Sequence, residues 1–180
     1  QTDAQTHAFE PESVDLLTSR LGVMFFADPM AAFANLFKAL RPGGRLAMAV
    51  WARQEESRHQ GLPFEIAVKH LGLPAPQPAR SPGPNAYGDR DYLRGVLASA
   101  GFAEIEIEPR QFLVHGDTAA NAAEHAGQMG AVQRLMDEKS ADPATRAAIT
   151  KDIEAAFKPY ESGGETRIPA TFLLVTARRA

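Results

Sequence analysis

Apolar and polar residues follow one another along the first part of the chain in a strand, helix, strand order. Residues 14–19 form a short apolar run after the turn-forming residues 10–13, a pattern typical of a buried strand entered from a surface turn. Asp28 followed by Pro29 predicts a helix start, since aspartate is a favoured N-cap and proline a favoured first helical residue. Helical spacing places four apolar residues on one core-facing side of this helix: Met30, Phe33, Phe37 and Leu40.

A second strand is expected soon after this helix. Pro42-Gly43-Gly44 is expected to stop the helix, with Arg41 in its last turn, because proline and glycine interrupt helices. Residues 46–51 are almost continuously apolar, as in a strand that is covered on both faces. A helical crossover sets the two strands that it joins parallel. The sequence therefore predicts a parallel pair.

The rest of the chain adds helices and two further strands. Residues 52–88 are polar and proline-rich around one helical stretch at 63–71, and loops of this length are commonly functional. Asp89 or Asp91 is a candidate cap for the next helix. The other predicted elements are a strictly alternating strand at 103–108, helices at 118–130, 131–139 and 143–157, and a last strand at 168–177. This order predicts an α/β fold whose four strands make half of a doubly wound sheet.

Composition and charge exclude several classes of function. The 180 residues carry a formal net charge of -3, so the chain has no basic surface of the kind that binds nucleic acid. It has no cysteine, which rules out disulfides and thiolate metal sites. No apolar run has transmembrane length and no signal peptide is evident, so we expect no membrane partner and a cytoplasmic location.

Three segments of the first half together resemble a known family. Asp3-Ala4-Gln5, residues 14–20 and Leu40-Arg41-Pro42-Gly43-Gly44-Arg45-Leu46 are similar to the second half of class I S-adenosylmethionine-dependent methyltransferases. The similarity is closest to the small-molecule group that includes the ubiquinone and menaquinone methyltransferases. It implies a partial Rossmann-like, doubly wound sheet that is mainly parallel with an antiparallel final strand. Residues 1–180 are then a single C-terminal portion of a methyltransferase domain, with substrate-side insertions at 52–88 and 118–158.

The resemblance implies S-adenosylmethionine as cofactor and places four cofactor-binding residues. Asp3 would accept a hydrogen bond from the adenine amino group, a role that suits a carboxylate because it offers only acceptors. The backbone of Ala4 would contact the ring edge. Ser19 and Arg20 stand at the end of the first strand, beside the methionyl part of the cofactor, where open α/β sheets bind ligands. The alternatives are a solvated Asp3 and a surface Arg20 whose stem packs on the sheet.

The same resemblance places Met24, Phe25 and Trp51 near the substrate, a small-molecule methyl acceptor. Core packing is the alternative for each of these side chains. Methyl transfer depends mainly on positioning, because the sulfonium already activates the methyl group. We therefore name no catalytic base. His59 and His115 are candidates to face the substrate, with ordinary surface or packed histidines as the alternative, and no spacing predicts a metal site.

One part of the family pattern is missing from the sequence. The family holds its cofactor mainly with a glycine-rich strand-to-helix turn and a following acidic residue, and no segment here matches either. We expect this chain to begin after that turn, to bind S-adenosylmethionine weakly and to be inactive alone. An apolar edge at residues 14–19 would then be open to homo-oligomer formation. The alternative function is a non-catalytic interaction or scaffold module derived from the same fold, and a nicotinamide oxidoreductase would lack its own fingerprint.

Overall fold

The fold was analysed in a computed structural model that describes residues 2–74, 82–128 and 130–180. The predicted segment 52–88 lies partly outside these residues. Three short 3₁₀ turns, at Val23–Phe25, Gln54–Glu56 and Lys158–Tyr160, connect the larger elements. Along the chain these are β1 Val14–Arg20, α1 Pro29–Ala39, β2 Leu40–Trp51, α2 Arg58–His70, α3 Arg90–Ser99, β3 Phe102–Gly116, α4 Ala119–Gln128, α5 Gly130–Glu138, α6 Pro143–Phe157, β4 Glu161–Ser162 and β5 Glu165–Arg179.

The sheet has the strand order β1-β2-β5-β3, and β4 pairs with β5. β1 and β2 are parallel, with Leu17 opposite Leu46, which confirms the predicted pair. β5 runs antiparallel to β2, with Val175 opposite Met48, as expected for the final strand. The expectation of a mainly parallel sheet is wrong for the described pairs, because β5 also pairs antiparallel with β4 and the sheet is mixed. The physical reason is that the last strand of the chain returns between β2 and β3 rather than adding to one edge.

The end of α1 differs from the prediction. α1 stops at Ala39 and β2 begins at Leu40, so Arg41 lies in the strand and Pro42-Gly43-Gly44 does not end the helix. Gly43 has a φ of 78°, and the register of β1 against β2 shifts nearby, so this segment forms an irregular entry into the strand. A guanidinium takes the role expected of the glycines, because Arg179 of β5 donates to the carbonyl oxygen of Leu40 at 2.6 Å and to those of Phe37 and Lys38 at 3.3 Å.

The described residues divide into two compact units. The sheet unit comprises residues 2–53, 82–110 and 171–180, and the helical unit comprises 54–74, 111–128 and 130–170. Each has its own buried core. The sheet unit packs α1 and α3 on one face of the sheet through residues such as Phe33, Leu93 and Val50, whereas the helical unit buries Ile149, Ile153, Phe157 and their neighbours.

Four predicted core positions of α1 have different outcomes. Phe33 is fully buried and Phe37 is partly buried, as helical spacing predicts; Leu40 is also fully buried, but as the first residue of β2. Met30 is 44% exposed, so its assignment to the core is wrong. Leu36, which the predicted set does not include, is buried instead.

The starts of α1, α3 and α6 are predicted correctly, whereas α2 begins at Arg58 rather than at residue 63 and contains Pro63 inside the helix. The Asp28 side chain accepts from the backbone N–H of Ala31 at 3.0 Å, and the Asp142 side chain accepts from that of Thr145 at 2.9 Å. Asp89, rather than Asp91, caps α3, with its Oδ1 3.0 Å from the amide nitrogens of Asp91 and Tyr92. Across the described parts of the chain, no helix is both long and apolar enough to cross a membrane.

Candidate active site at the carboxyl ends of the first two strands

The carboxyl end of β1 leads into a tight turn. Ser19 and Arg20 are the last residues of β1 and lie opposite Met48 and Ala49 of β2. Leu21 then adopts a φ of 58°, a left-handed conformation that is uncommon for a leucine, while its N–H donates to the Ala49 carbonyl oxygen at 2.9 Å. Strained backbone of this kind is concentrated at ligand sites. The turn lies where open α/β sheets bind ligands.

Two of the three residues predicted near the substrate are brought together at this end of the sheet unit. The backbone N–H of Trp51, the last residue of β2, donates to the Met24 sulfur at 3.4 Å. Met24 is only 1% exposed, so its side chain belongs to the core as well as to the strand end. Phe25 is 57% exposed, and nothing in its burial resembles core packing. Met24 is thus a packed support, and Phe25 is an accessible apolar surface beside it.

The amino-terminal segment is held in place by an asparagine that sequence reasoning did not select. Asn35 of α1 donates from Nδ2 to the carbonyl oxygens of Ala4 at 3.1 Å and His7 at 2.8 Å. The Asp3 side chain accepts from the Gln5 N–H at 2.8 Å, which closes the turn. Asp3 itself is exposed, and Ala4 is half-buried. The backbone at Ala4 and His7 is therefore fixed from α1, and the exposed Asp3 carboxylate is held by the Gln5 N–H.

A second segment, residues 82–89, returns to the end of β2 and is fastened there. The Asn85 side chain donates to the Ala52 carbonyl oxygen at 3.0 Å, and Arg53 forms an ion pair with Asp89 at 3.0 Å. Gly88 passes so close to the backbone that a Cβ at this position would lie 2.8 Å from the Arg53 nitrogen. We call residues 82–89 the return loop. Its prolines, glycines and Asn85 are typical of a turn, but nothing in the sequence indicates that this turn meets β2.

Tyr87 of the return loop is the largest fully buried side chain of the sheet unit. Its ring lies 5.9 Å from that of Phe33 and 6.5 Å from that of Tyr92. Burial raises the pKa of Tyr87 above its usual range, and the neighbouring Tyr92 adds to the effect. Among the residues that the structure describes, the Tyr87 hydroxyl has no hydrogen-bond partner.

The sheet face that α1 and α3 leave open carries a cleft of about 430 Å³. Leu16, which is 47% exposed, and Ala47 form part of its floor. Glu104 pairs with Arg178 at 3.0 Å on its rim. Neither Ser19 nor Trp51 lines the cleft, although Ala47 lies opposite Thr18, the neighbour of Ser19.

The helical unit contains a separate polar cluster at the start of α2. Ser57 is 1% exposed and occupies the N-cap position, yet its side chain makes no capping bond. In the described part of the chain, neither Ser57 Oγ nor His59 Nδ1 has a hydrogen-bond partner. Burial lowers the pKa of His59, and the charge of His125 in α4 lowers it further. We call Ser57 and His59 the α2 polar cluster.

Comparison with known proteins concerns the amino-terminal segment and the carboxyl ends of β1 and β2. Residues 1–48 match the family model described as a methyltransferase domain, a range that contains Asp3, Ala4, Ser19, Arg20 and Met24. The chain is 26% identical over 136 residues to a ubiquinone/menaquinone biosynthesis C-methyltransferase from Saccharophagus degradans. That match covers 71% of this chain and 51% of the relative, so the chain spans about half the length of the curated protein that it matches.

Solved structures share the fold. An S-adenosylmethionine-dependent methyltransferase from Thermotoga maritima is similar with a TM-score of 0.52 at 14% identity, over 99% of this chain and 62% of its own. A protein from Bacillus halodurans is similar with a TM-score of 0.50 at 17% identity, over 99% of this chain and 76% of its own. At these identities the likeness concerns the fold alone.

Proposed function

We propose that this chain belongs to the class I S-adenosylmethionine-dependent methyltransferases and that the intact protein transfers a methyl group from S-adenosylmethionine to a small-molecule acceptor. The observation that carries the proposal is the overlap of two features in one segment. Residues 1–48 match the methyltransferase domain, and the same residues supply the strained turn at Leu21 and the fixed amino-terminal segment. Ligand binding at the carboxyl ends of β1 and β2 accounts for both features.

The residues present suit part of such a cofactor. The exposed Asp3 carboxylate offers acceptors to an amino group, and Asn35 holds the adjoining backbone at Ala4 and His7. Ser19 and Arg20 offer a hydroxyl and a guanidinium at the end of β1, the latter suited to a carboxylate. When bound, S-adenosylmethionine supplies an electrophilic methyl group on a sulfonium. Asp3, Ser19 and Arg20 would orient the bound cofactor.

The described site is only part of what the family uses. The sequence has no glycine-rich strand-to-helix turn, and backbone N–H groups at such a turn are a large source of affinity for a nucleotide-like ligand. We infer that the 180-residue chain binds S-adenosylmethionine weakly and transfers no methyl group alone. Phe25, exposed beside the buried Met24, and Trp51 at the end of β2 are proposed to border the acceptor.

The open edge of the sheet supports a proposal about assembly. In the described sheet β1 occupies one end of the strand order, and Leu16 is 47% exposed. An unpaired strand edge with an exposed apolar residue is a template for pairing with another chain. We propose that the isolated chain self-associates through residues 14–19, and light scattering during size-exclusion chromatography tests this. A monomer at all concentrations would contradict it.

Methyl transfer is tested with the intact protein. It is incubated with S-adenosylmethionine carrying a tritium-labelled methyl group and a small-molecule extract, and label is counted in the protein-free fraction. We expect transfer, and we expect Asp3→Asn to lower the rate about tenfold at subsaturating cofactor, since one hydrogen bond to a charged group is lost. Asn35→Ala is expected to act in the same direction.

Asn121→Ala is the matched control, because Asn121 lies exposed on α4 in the helical unit. Its rate should equal that of the unmodified protein. A protein that transfers no label, or in which Asp3→Asn and Asn35→Ala leave the rate unchanged, contradicts the proposed site. Absence of both transfer and cofactor binding would favour the non-catalytic module instead.

A further inference from the structure

The amino-terminal segment contains a short turn, residues 3–7, in which Gln5 makes hydrogen bonds in two directions. Its backbone N–H donates to Asp3 Oδ1 at 2.8 Å. Its side-chain oxygen Oε1 accepts the backbone N–H of Asp28, the N-cap residue of α1, at 3.0 Å. Gln5 is therefore bonded both to the carboxylate proposed to meet the cofactor and to the residue at which α1 begins.

Other hydrogen bonds fasten this turn to the body of α1. Asn35 donates to the carbonyl oxygens of Ala4 and His7. The Asp3 carbonyl oxygen accepts the His7 N–H at 2.9 Å, which closes the turn internally. The Gln5 side chain instead reaches the start of α1, so it adds a connection that these bonds do not make.

Asp28 is the last residue of the segment that follows β1, residues 21–28, which we call the Phe25 segment. Its first half is anchored at Met24, whose carbonyl oxygen accepts a backbone N–H of the return loop at 2.9 Å. Its end is anchored at Asp28, through the bond to Gln5 and through the cap of α1. Phe25 lies between these anchors and is 57% exposed. The bond from Gln5 therefore fixes one end of the segment that carries the residue proposed to border the acceptor.

The Asp3 carboxylate has one oxygen available for a ligand. The Gln5 N–H occupies Oδ1, and no residue that the structure describes donates to Oδ2. Asp3 is exposed, so a ligand amino group can donate to Oδ2. Such a ligand would hold the carboxylate, which holds the Gln5 N–H, and the Gln5 side chain holds Asp28.

We propose that Gln5 is a positioning residue that links the cofactor-binding turn at Asp3 to the Phe25 segment. This inference rests on the proposed function, because it assigns Gln5 a role between the cofactor and the acceptor. A ligand on the Asp3 carboxylate fixes Gln5, and Gln5 then fixes Asp28 at the end of the segment before an acceptor binds. Cofactor binding and acceptor binding are thereby coupled, and such a coupling acts equally in both directions.

The first test needs no ligand and measures solvent exchange of the Asp28 amide by NMR in the isotope-labelled 180-residue chain. Gln5→Met nearly keeps the length of the side chain but removes the acceptor oxygen. The Asp28 amide should then exchange about fivefold faster, because one hydrogen bond between neutral groups is lost. Gln5→Glu retains an acceptor oxygen at the same position in the side chain and should restore the rate of the parent chain.

Asp3→Ala tests the link rather than the single bond. It leaves the Gln5 side chain in place but releases the Gln5 N–H, so the Asp28 amide should again exchange faster. The double variant with Gln5→Met should exchange no faster than Gln5→Met alone, because both changes act on one series of contacts. A merely structural bond between Gln5 and Asp28 would respond to Gln5→Met but not to Asp3→Ala.

Gln111→Met is the matched control, because it makes the same chemical change at an exposed position of β3. It should leave the exchange of the Asp28 amide unchanged. The second test adds S-adenosylhomocysteine to the same chains. In the parent we expect the Asp28 amide to shift together with those of residues 3–5. In Gln5→Met the shift at Asp28 should be lost, while those at residues 3 and 4 remain.

The proposal is overturned if Gln5→Met or Asp3→Ala leaves the exchange of the Asp28 amide unchanged, or if Gln111→Met accelerates it equally. Ligand shifts at residues 3–5 without one at Asp28 in the parent would contradict the link and leave the proposed cofactor site standing. Absence of every ligand shift would contradict the proposed cofactor site, and the exchange rates, measured without ligand, would still decide whether Gln5 links Asp3 to Asp28.

Discussion

Two segments that follow β2 treat their polar groups in opposite ways. In the return loop of the sheet unit, Asn85 is bonded to the Ala52 carbonyl oxygen, and Asp89 both caps α3 and pairs with Arg53. In the helical unit, the Ser57 Oγ and His59 Nδ1 atoms are buried and have no hydrogen-bond partner among the described residues. The sequence presents both segments as one polar stretch, 52–88. One part of this stretch therefore uses its polar groups to fasten the fold, whereas the other buries polar atoms without a hydrogen-bond partner.

Substitutions in the return loop should lower stability more than substitutions at the start of α2. Gly88→Ala would place a Cβ 2.8 Å from the Arg53 nitrogen and 2.9 Å from its Cα, and backbone atoms cannot move aside cheaply. We expect a loss of about 1–3 kcal/mol in the free energy of unfolding, typical of overpacking. Urea denaturation measures it.

Gly83→Ala, in the same loop, is the control for this change. No heavy atom lies within 4 Å of a Cβ built there, so its effect should stay within about 0.5 kcal/mol. Equal effects of the two substitutions would show that Gly88 is not packed against β2.

The two N-caps give the sharpest comparison of the segments. Asp89→Ala removes an aspartate that accepts two backbone N–H groups, and we expect a loss of about 1 kcal/mol. Ser57→Ala removes a hydroxyl that makes no capping bond, so stability should change by less than about 0.5 kcal/mol or rise slightly. Thermal denaturation of both variants distinguishes the cases. A loss from Ser57→Ala as large as that from Asp89→Ala would make Ser57 an ordinary cap.

The order and type of elements follow from local physics that the sequence displays. Aspartate followed by a helix former predicts the starts of α1, α3 and α6, because the capping bond is made within three residues. Continuous apolar runs likewise predict the parallel pairing of β1 and β2. What failed depends on partners distant in sequence. The end of α1 is set by Arg179, which lies about 140 positions further along the chain.

In the candidate site too, features set by the local sequence were predictable and features set by distant partners were not. Ser19, Arg20 and Trp51 are placed at strand ends by the alternation of elements, so their location was predictable. Asn35, which holds Ala4 and His7, gave no signal, because one polar residue in an amphipathic helix looks solvated until the segment that it contacts is known. His59 was a candidate by residue type, but the charge of His125, which helps burial to lower the pKa of His59, comes from another helix.

The α2 polar cluster should also make stability depend on pH in a defined direction. The pKa of His59 is lowered from 6.5 in the fold, so the unfolded chain binds its proton first as the pH falls. The free energy of unfolding therefore decreases as the pH drops below 6.5 and stops decreasing on this account once the folded-state pKa is passed. His59→Phe should remove this part of the pH dependence in urea denaturation.

Carboxyl groups change the free energy of unfolding at lower pH than His59 does. The pKa values of Asp142 and Glu161 are lowered from 3.8 and 4.5 by the N–H groups that donate hydrogen bonds to them, so their stabilising contributions are lost only as the pH falls below those values.

His115→Phe is the control for His59→Phe and should keep the loss of stability below pH 6.5. An unchanged pH profile in His59→Phe would show that the imidazole is not the group responsible.

The smallest expected change in stability comes from removing the Tyr87 hydroxyl of the return loop. The Tyr87 hydroxyl is buried without a partner among the described residues, unlike the polar groups of Asn85 and Asp89. Tyr87→Phe should therefore leave stability unchanged or raise it by up to about 1 kcal/mol. A clear loss of stability in thermal denaturation would mean that the Tyr87 hydroxyl is hydrogen-bonded, like the other polar groups of the loop.

The central claim is that the carboxyl ends of β1 and β2, with the amino-terminal segment, form the cofactor site. Backbone amide NMR of the isotope-labelled 180-residue chain during titration with S-adenosylhomocysteine tests it most directly. We predict weak, saturable shifts at Asp3–Gln5 and Ser19–Leu21 and none at Ser57–His59. Shifts confined to other residues, or no shifts at millimolar concentration, would contradict the account.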